Sequence, residues 1–102
     1  MLPWACAVER LDGKALLRVS GAIDFSTVEI FRRALREIVA VGGQIVVDLR
    51  NVSYMDFTGI LALESVTKAT VDLTVIVPRL LRRVAAIAGL DKMLVLQDAG
   101  PA

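Results

Sequence analysis

The chain has 102 residues, of which 56% are hydrophobic and 23% charged, a balance that excludes a disordered protein and predicts one domain. The net charge is +1, so we expect neither nucleic acid nor an anionic membrane as a partner. The sequence has no histidine and a single cysteine, Cys6, which excludes histidine-dependent nucleophiles, an internal disulfide and a cysteine-based zinc site. We therefore expect a non-catalytic protein without metal or cofactor.

No run of apolar residues is long enough for a transmembrane helix, and the first seven residues lack the charged start of a signal peptide. The expectation is a small cytoplasmic domain over residues 1–102, with short tails at 1–3 and 99–102.

The first predicted elements are a hairpin and a helix. Two apolar segments, 4–8 and 15–20, flank Asp12-Gly13, a pair that favours the positive φ angles of a tight turn. Ser26 followed by Glu29 has the spacing of a capping box, so a helix should begin near Ser26. The apolar residues of this helix recur at helical spacing. They are Val28, Phe31, Ala34, Leu35 and Ile38.

The rest of the chain alternates strands and helices. Segments 44–49 and 72–77 are rich in β-branched residues without polar alternation, which is typical of parallel strands. Helices are predicted over 57–69 and from Pro78 to Gly89, and a last strand over 93–96. The prediction is an α/β fold with a mixed, mostly parallel sheet of four or five strands, an N-terminal β-hairpin and at least three helices.

The start of the second helix is the main candidate site, because ligands of open α/β sheets bind where strands lead into helices. Asp56 suits the N-cap position, where its carboxylate would accept from the N–H of Thr58 or Gly59. Thr58 would lie at the positive end of the helix, which favours a phosphate by about 0.5–1 kcal/mol. The spacing alone leaves open a purely structural role for both residues.

A second signal is a set of apolar residues on the outer side of this helix. At 100° per residue, Phe57 and Leu61 point toward solvent, and Ile60 lies at the border of that side. Clustered exposed apolar groups usually mark a site for another protein. The alternative is that Phe57 folds back against Tyr54 or Phe25 and is buried.

Polar residues elsewhere favour structural roles. Asp24 and Ser26 lie at the preceding strand-to-helix turn, which we expect near Asp56, but capping positions and the lack of histidine argue against acid–base chemistry. Three arginines interleaved with glutamates lie on the outer face of the first predicted helix, a pattern typical of a solvated surface. They are Arg32, Arg33 and Arg36.

Four segments, in their order and spacing, resemble the STAS domain, whose type members are bacterial anti-sigma factor antagonists. They read LRVSGAID at 17–24, DLRNVSYMD at 48–56, TGI at 58–60 and RVAAIAGLD at 83–91. The resemblance spans about residues 15–98.

The resemblance implies a phosphorylation-controlled loop that reads Asp, Ser, Ser or Thr, Gly and Leu. In the family, a kinase-type anti-sigma factor phosphorylates the first Ser, and the phosphate breaks the complex between the two proteins. Asp56, Thr58 and Gly59 match this loop, whereas Phe57 occupies the position of the acceptor Ser. Thr58 keeps a hydroxyl and is the remaining candidate phosphoacceptor.

The function implied is a constitutive interaction module that binds an anti-sigma factor or a kinase-type regulatory protein. The candidate partner-binding residues are Asp24, Ser26, Asp56, Phe57, Thr58, Ile60 and Leu61. An alternative stays open, since small STAS proteins also serve as accessory subunits of bacterial ABC-type lipid transport systems, bound to the ATPase. Self-association as a homodimer through Phe57 is also left open.

Overall fold

A computed structural model describes residues 4–67, 72–78 and 95–98. The strands in these ranges are β1 (Ala5–Leu11), β2 (Lys14–Ile23), β3 (Gln44–Met55), β4 (Leu73–Val77) and β5 (Val95–Asp98). The helices are α1 (Val28–Val41) and α2 (Phe57–Thr67). Residues 79–89 of the third helix, which was predicted from Pro78 to Gly89, and the family-like segment at 83–91 lie outside the described residues.

The five strands form one sheet in the order β1-β2-β3-β4-β5. β1 is antiparallel to β2, and every other neighbouring pair is parallel, which confirms the predicted mixed sheet. The turn between β1 and β2 has positive φ at both Asp12 (36°) and Gly13 (79°), as predicted for the hairpin.

Both central strands are longer than predicted. β3 runs on through residues 50–55, which the sequence placed in a loop, because the end of β2 continues beside it and supplies backbone partners. The pairing of β2 with β3 shifts register twice in this stretch, as at β-bulges. The two strands nevertheless end together, with Ile23 opposite Met55. β5 includes residues 95 and 96 of the strand predicted over 93–96, and residues 93 and 94 lie outside the described ranges.

Helix α1 begins at Val28, with Thr27 at the N-cap, and the predicted capping box at Ser26 is not formed. Ser26 is held in the preceding turn instead. The Ser26 hydroxyl donates to Asp24 Oδ1 at 2.6 Å, and the Thr27 hydroxyl donates to the Ala22 carbonyl at 2.8 Å. The Ser26 N–H also donates to Asp24 Oδ1, at 2.9 Å, so Asp24 holds Ser26 in its own turn and the helix begins after it.

The core lies between the sheet and the two helices. α1 and α2 contact each other, and connections between adjacent parallel strands are right-handed, so both helices cover the same sheet face. The residues that α1 buries are those at the predicted helical spacing, except that Ala34 is only half-buried. They are Val28, Phe31, Leu35 and Ile38. None of the helices in the described ranges is long and apolar enough to cross a membrane.

Asp48 is a buried charge on the other face of the sheet, and no role was predicted for it from the sequence. Its carboxylate accepts from Nε and Nη2 of Arg50 at 2.9 and 2.7 Å, and from the Arg50 N–H at 3.0 Å. Arg18 lies 3.9 Å away and also pairs with Glu9, so the ion pairs link β1, β2 and β3. Burial raises the pKa of Asp48, but the hydrogen bonds and charges of the two arginines bring it below its ordinary value.

The start of α2 packs closely on the ends of both central strands. A Cβ placed on Gly59 would lie 2.7 Å from Met55 Cγ and 2.8 Å from Ile23 Cγ2, both on buried side chains. Glycine at this position therefore sets how closely the first turn of α2 approaches the sheet.

Replacing Asp48 with Asn should lower the free energy of unfolding by about 1–2 kcal/mol near neutral pH, because charge-assisted bonds to Arg50 are lost. Folding lowers the pKa of Asp48. Its contribution is therefore complete above the ordinary aspartate pKa of about 4 and disappears as pH falls through the lower folded value. Urea denaturation at decreasing pH should show the difference between wild type and Asp48→Asn closing in acid.

The control for this experiment is Glu29→Gln, which removes the exposed ion pair with Arg32. It should change the free energy of unfolding by less than about 0.5 kcal/mol at any pH tested. If the free energies of unfolding of wild type and Asp48→Asn differ by the same amount at every pH, the lowered pKa of Asp48 is contradicted.

Replacing Gly59 with Ala should destabilise the protein by about 1–2 kcal/mol, although alanine is the better helix former. The added methyl group would meet Met55 and Ile23 at distances shorter than normal contact. Thermal and urea unfolding can measure the change. In a Met55→Ala background the close contact with Met55 is gone while that with Ile23 Cγ2 remains, so the same substitution should cost less. An equal cost in both backgrounds would rule out a steric contribution from Met55.

Candidate functional site

The two strand-to-helix turns at the ends of β2 and β3 are neighbours. Ile23 pairs with Met55, and the Asp56 N–H donates to the Ile23 carbonyl at 3.0 Å. This hydrogen bond joins the first residue after β3 to the last residue of β2. The prediction that the turn containing Asp24 lies near Asp56 is therefore confirmed.

Asp56 caps α2 as predicted. Its Oδ1 accepts from the Thr58 N–H at 2.9 Å and from the Gly59 N–H at 3.4 Å. The same oxygen also accepts from the Thr58 hydroxyl, so this half-buried hydroxyl is held by the capping carboxylate. Asp56 thus fixes both the start of the helix and the orientation of Thr58.

The turn after β2 repeats this arrangement in Asp24-Phe25-Ser26, which parallels Asp56-Phe57-Thr58. Asp24 Oδ1 accepts from the Ser26 hydroxyl at 2.6 Å and from the Ser26 N–H at 2.9 Å. These hydrogen bonds lower the pKa of Asp24, and the bond from the Ser26 side chain has the largest effect. The repeated triplet of Asp, Phe and a hydroxyl residue is a signal in the sequence that could have predicted this likeness between the two turns.

Both turns expose their phenylalanine. The exposed fraction is 67% for Phe57 and 82% for Phe25, so the alternative in which Phe57 is buried is wrong. Tyr54, at the same end of β3, is 55% exposed, and Leu61, one turn further along α2, is 44% exposed. We call Phe25, Tyr54, Phe57 and Leu61 the aromatic surface. The exposure of Phe25 and Tyr54 was not predicted from the sequence.

Ile60 does not belong to this surface. It is only 5% exposed and lies in the core, which corrects the expectation that it borders the outer side of α2. The physical reason is the close approach of the first turn to the sheet at Gly59, which brings the following side chain into the core as well. Leu61 points outward as expected.

The polar groups at these turns are engaged in local structure. The Asp24 and Asp56 carboxylates each accept from the backbone and hydroxyl of their own turn, which leaves them suited to holding loops rather than to proton transfer. Across the residues that the structure describes, no three acidic or cysteine side chains converge as a metal-ligand set. What the site offers outward is apolar and aromatic area.

Known proteins show the same architecture. An anti-sigma factor antagonist from Mycobacterium paratuberculosis is 27% identical, with a TM-score of 0.86 over 92% of this chain and 85% of that chain. SpoIIAA, an anti-sigma factor antagonist, in its unphosphorylated form is 20% identical, with a TM-score of 0.76 over 93% of this chain and 88% of that one. The phosphorylated form of SpoIIAA, a Bacillus cell fate determinant, is 20% identical, with a TM-score of 0.69 over 93% of this chain and 91% of that chain.

No curated protein shows a significant match to the chain. The family model of the STAS domain, however, matches residues 5–98, which include every strand and helix described above. The chain belongs to the STAS domain family.

Proposed function

We propose that this STAS domain is a non-catalytic regulatory module that acts as an anti-sigma factor antagonist, binding its anti-sigma factor through the aromatic surface. The observation that carries the proposal is the exposed ring of Phe57 at the first residue of α2, where the family's loop has its acceptor Ser. The likeness to the mycobacterial antagonist, at 27% identity, supports the class of partner.

The aromatic surface has the chemistry of a protein-binding anchor. Burying one large apolar side chain contributes about 1.5–3 kcal/mol, and aromatic residues are enriched among those that dominate binding. Phe25 and Phe57 each stand inside a turn held by an aspartate. The backbone under both rings is therefore fixed before binding, which lowers the entropy lost when a partner covers them.

The same geometry supports binding that is not controlled by the family's usual phosphorylation. Phe57 has no hydroxyl, and the Thr58 hydroxyl donates to Asp56. A phosphate on Thr58 would bring up to about two negative charges against the carboxylate that caps α2, so modification there would disrupt the helix start. We infer that the unmodified surface is the binding state.

Phe57→Ser should weaken binding to the cognate kinase-type anti-sigma factor by about 1–3 kcal/mol, a rise in Kd of roughly 5- to 150-fold. Isothermal titration calorimetry can measure this with purified proteins. Val41→Ser is the matched control, because Val41 is also exposed and apolar but is the last residue of α1, at the end of that helix away from the aromatic surface. Equal Kd values for Phe57→Ser and wild type would show that Phe57 is not an anchor.

The calorimetry should include the ATPase of an ABC-type lipid transport system from the same organism. Binding to the ATPase and not to anti-sigma factors would replace the proposed function with that of a transport accessory subunit.

Incubation with the kinase-type anti-sigma factor and ATP should leave the wild-type protein unmodified, as read by intact-protein mass spectrometry. Phe57→Ser restores a hydroxyl at the family's acceptor position and should gain one phosphate there. Phe57→Ala, which removes the ring without supplying a hydroxyl, is the control and should gain none. A stoichiometric phosphate on wild-type Thr58 would contradict constitutive binding.

A further inference from the structure

A groove of about 610 Å³ runs between the outer sides of α1 and α2. Its lining combines apolar side chains with cationic ones contributed by α1 and a hydroxyl contributed by α2. The residues include Arg32, Arg36, Val39, Leu61, Ser65 and Val66. From the sequence, the arginines of α1 were expected to form a solvated face, and this groove was not predicted.

The two arginines of the groove differ in their ion pairing. Arg32 pairs with Glu29, one turn earlier on α1. Arg36 is exposed and forms no ion pair within the described part of the chain. No acidic side chain is among the groove-lining residues. The groove therefore presents an apolar floor beside an unneutralised positive charge.

The groove is continuous with the aromatic surface. Leu61 belongs to both, and Phe57, Leu61 and Ser65 are spaced four residues apart, so they form one stripe along α2. Arg32 and Arg36 form the facing stripe on α1 with the same spacing. Each helix follows the end of a parallel strand, so the two stripes run in the same direction, away from the exposed phenylalanines.

We propose that this groove binds an acidic amphipathic helix of a protein partner. The inference rests on the proposed function, because it extends the same interface from the aromatic surface along α1 and α2. Apolar residues at helical spacing would cover Val39, Leu61 and Val66, and a carboxylate on one flank would pair with Arg36. An open trough between two helices accepts a third helix by the packing that helix-in-groove interfaces use.

The test is selection from a displayed library of single helices, each with one randomised face, against the full chain. Groove-dependent binders should carry an apolar stripe flanked by Asp or Glu. Arg36→Glu should weaken these binders at least tenfold, because it places like charges together. Arg33→Glu is the matched control, since Arg33 is exposed on the same helix but does not line the groove, and it should change binding less than twofold.

Three results would overturn the proposal. They are selection of basic or uncharged helices, equal binding to wild type and Arg36→Glu, and the absence of any helix whose binding is lost in Leu61→Gln. The proposed function is read separately, from the affinity of the purified anti-sigma factor for wild type and Phe57→Ser. If acidic helices bind the groove but no anti-sigma factor binds the chain, only the proposed function is rejected. If an anti-sigma factor binds but no acidic helix does, only the groove proposal is rejected.

Discussion

The candidate site depends on one backbone hydrogen bond, donated by the Asp56 N–H to the carbonyl of Ile23. It brings the ends of two parallel strands together, so the turns that follow must start from neighbouring positions. Because each turn leads into a helix on the same side of the sheet, the two helix starts also become neighbours. The aromatic surface and the groove between α1 and α2 both follow from this alignment.

The two turns have the same local hydrogen-bond pattern. In each, an aspartate accepts from the backbone N–H and hydroxyl two residues later, which leaves the intervening phenylalanine without a place in the core. A large apolar side chain that the fold leaves exposed adds nothing to the core, and clustered exposed apolar groups usually mark a site for another protein, so the two rings support the proposed binding surface. Two exposed phenylalanines at adjacent turns, Phe25 and Phe57, offer a larger apolar area than either ring alone.

The sequence predicted the fold well where the spacing of apolar residues indicates which side chains are buried. The helical spacing of Phe31, Leu35 and Ile38 and the β-branched run of β3 both led to the observed elements. It failed at residues 50–55, because strand pairing there depends on the distant end of β2. The outward position of Phe57 followed from helical geometry, whereas the burial of Ile60 depended on the close approach at Gly59, which no local pattern reveals.

The chemistry of the surface constrains how a partner could be released. The hydroxyls of Ser26 and Thr58 each donate to the aspartate of their own turn, and the Phe57 ring carries no hydroxyl that a kinase could phosphorylate. Release under the proposed function would then come from competition for the same apolar area rather than from added charge. Occupancy would follow the concentrations of the two proteins and of any competitor, as mass action requires for an interface with a single binding state.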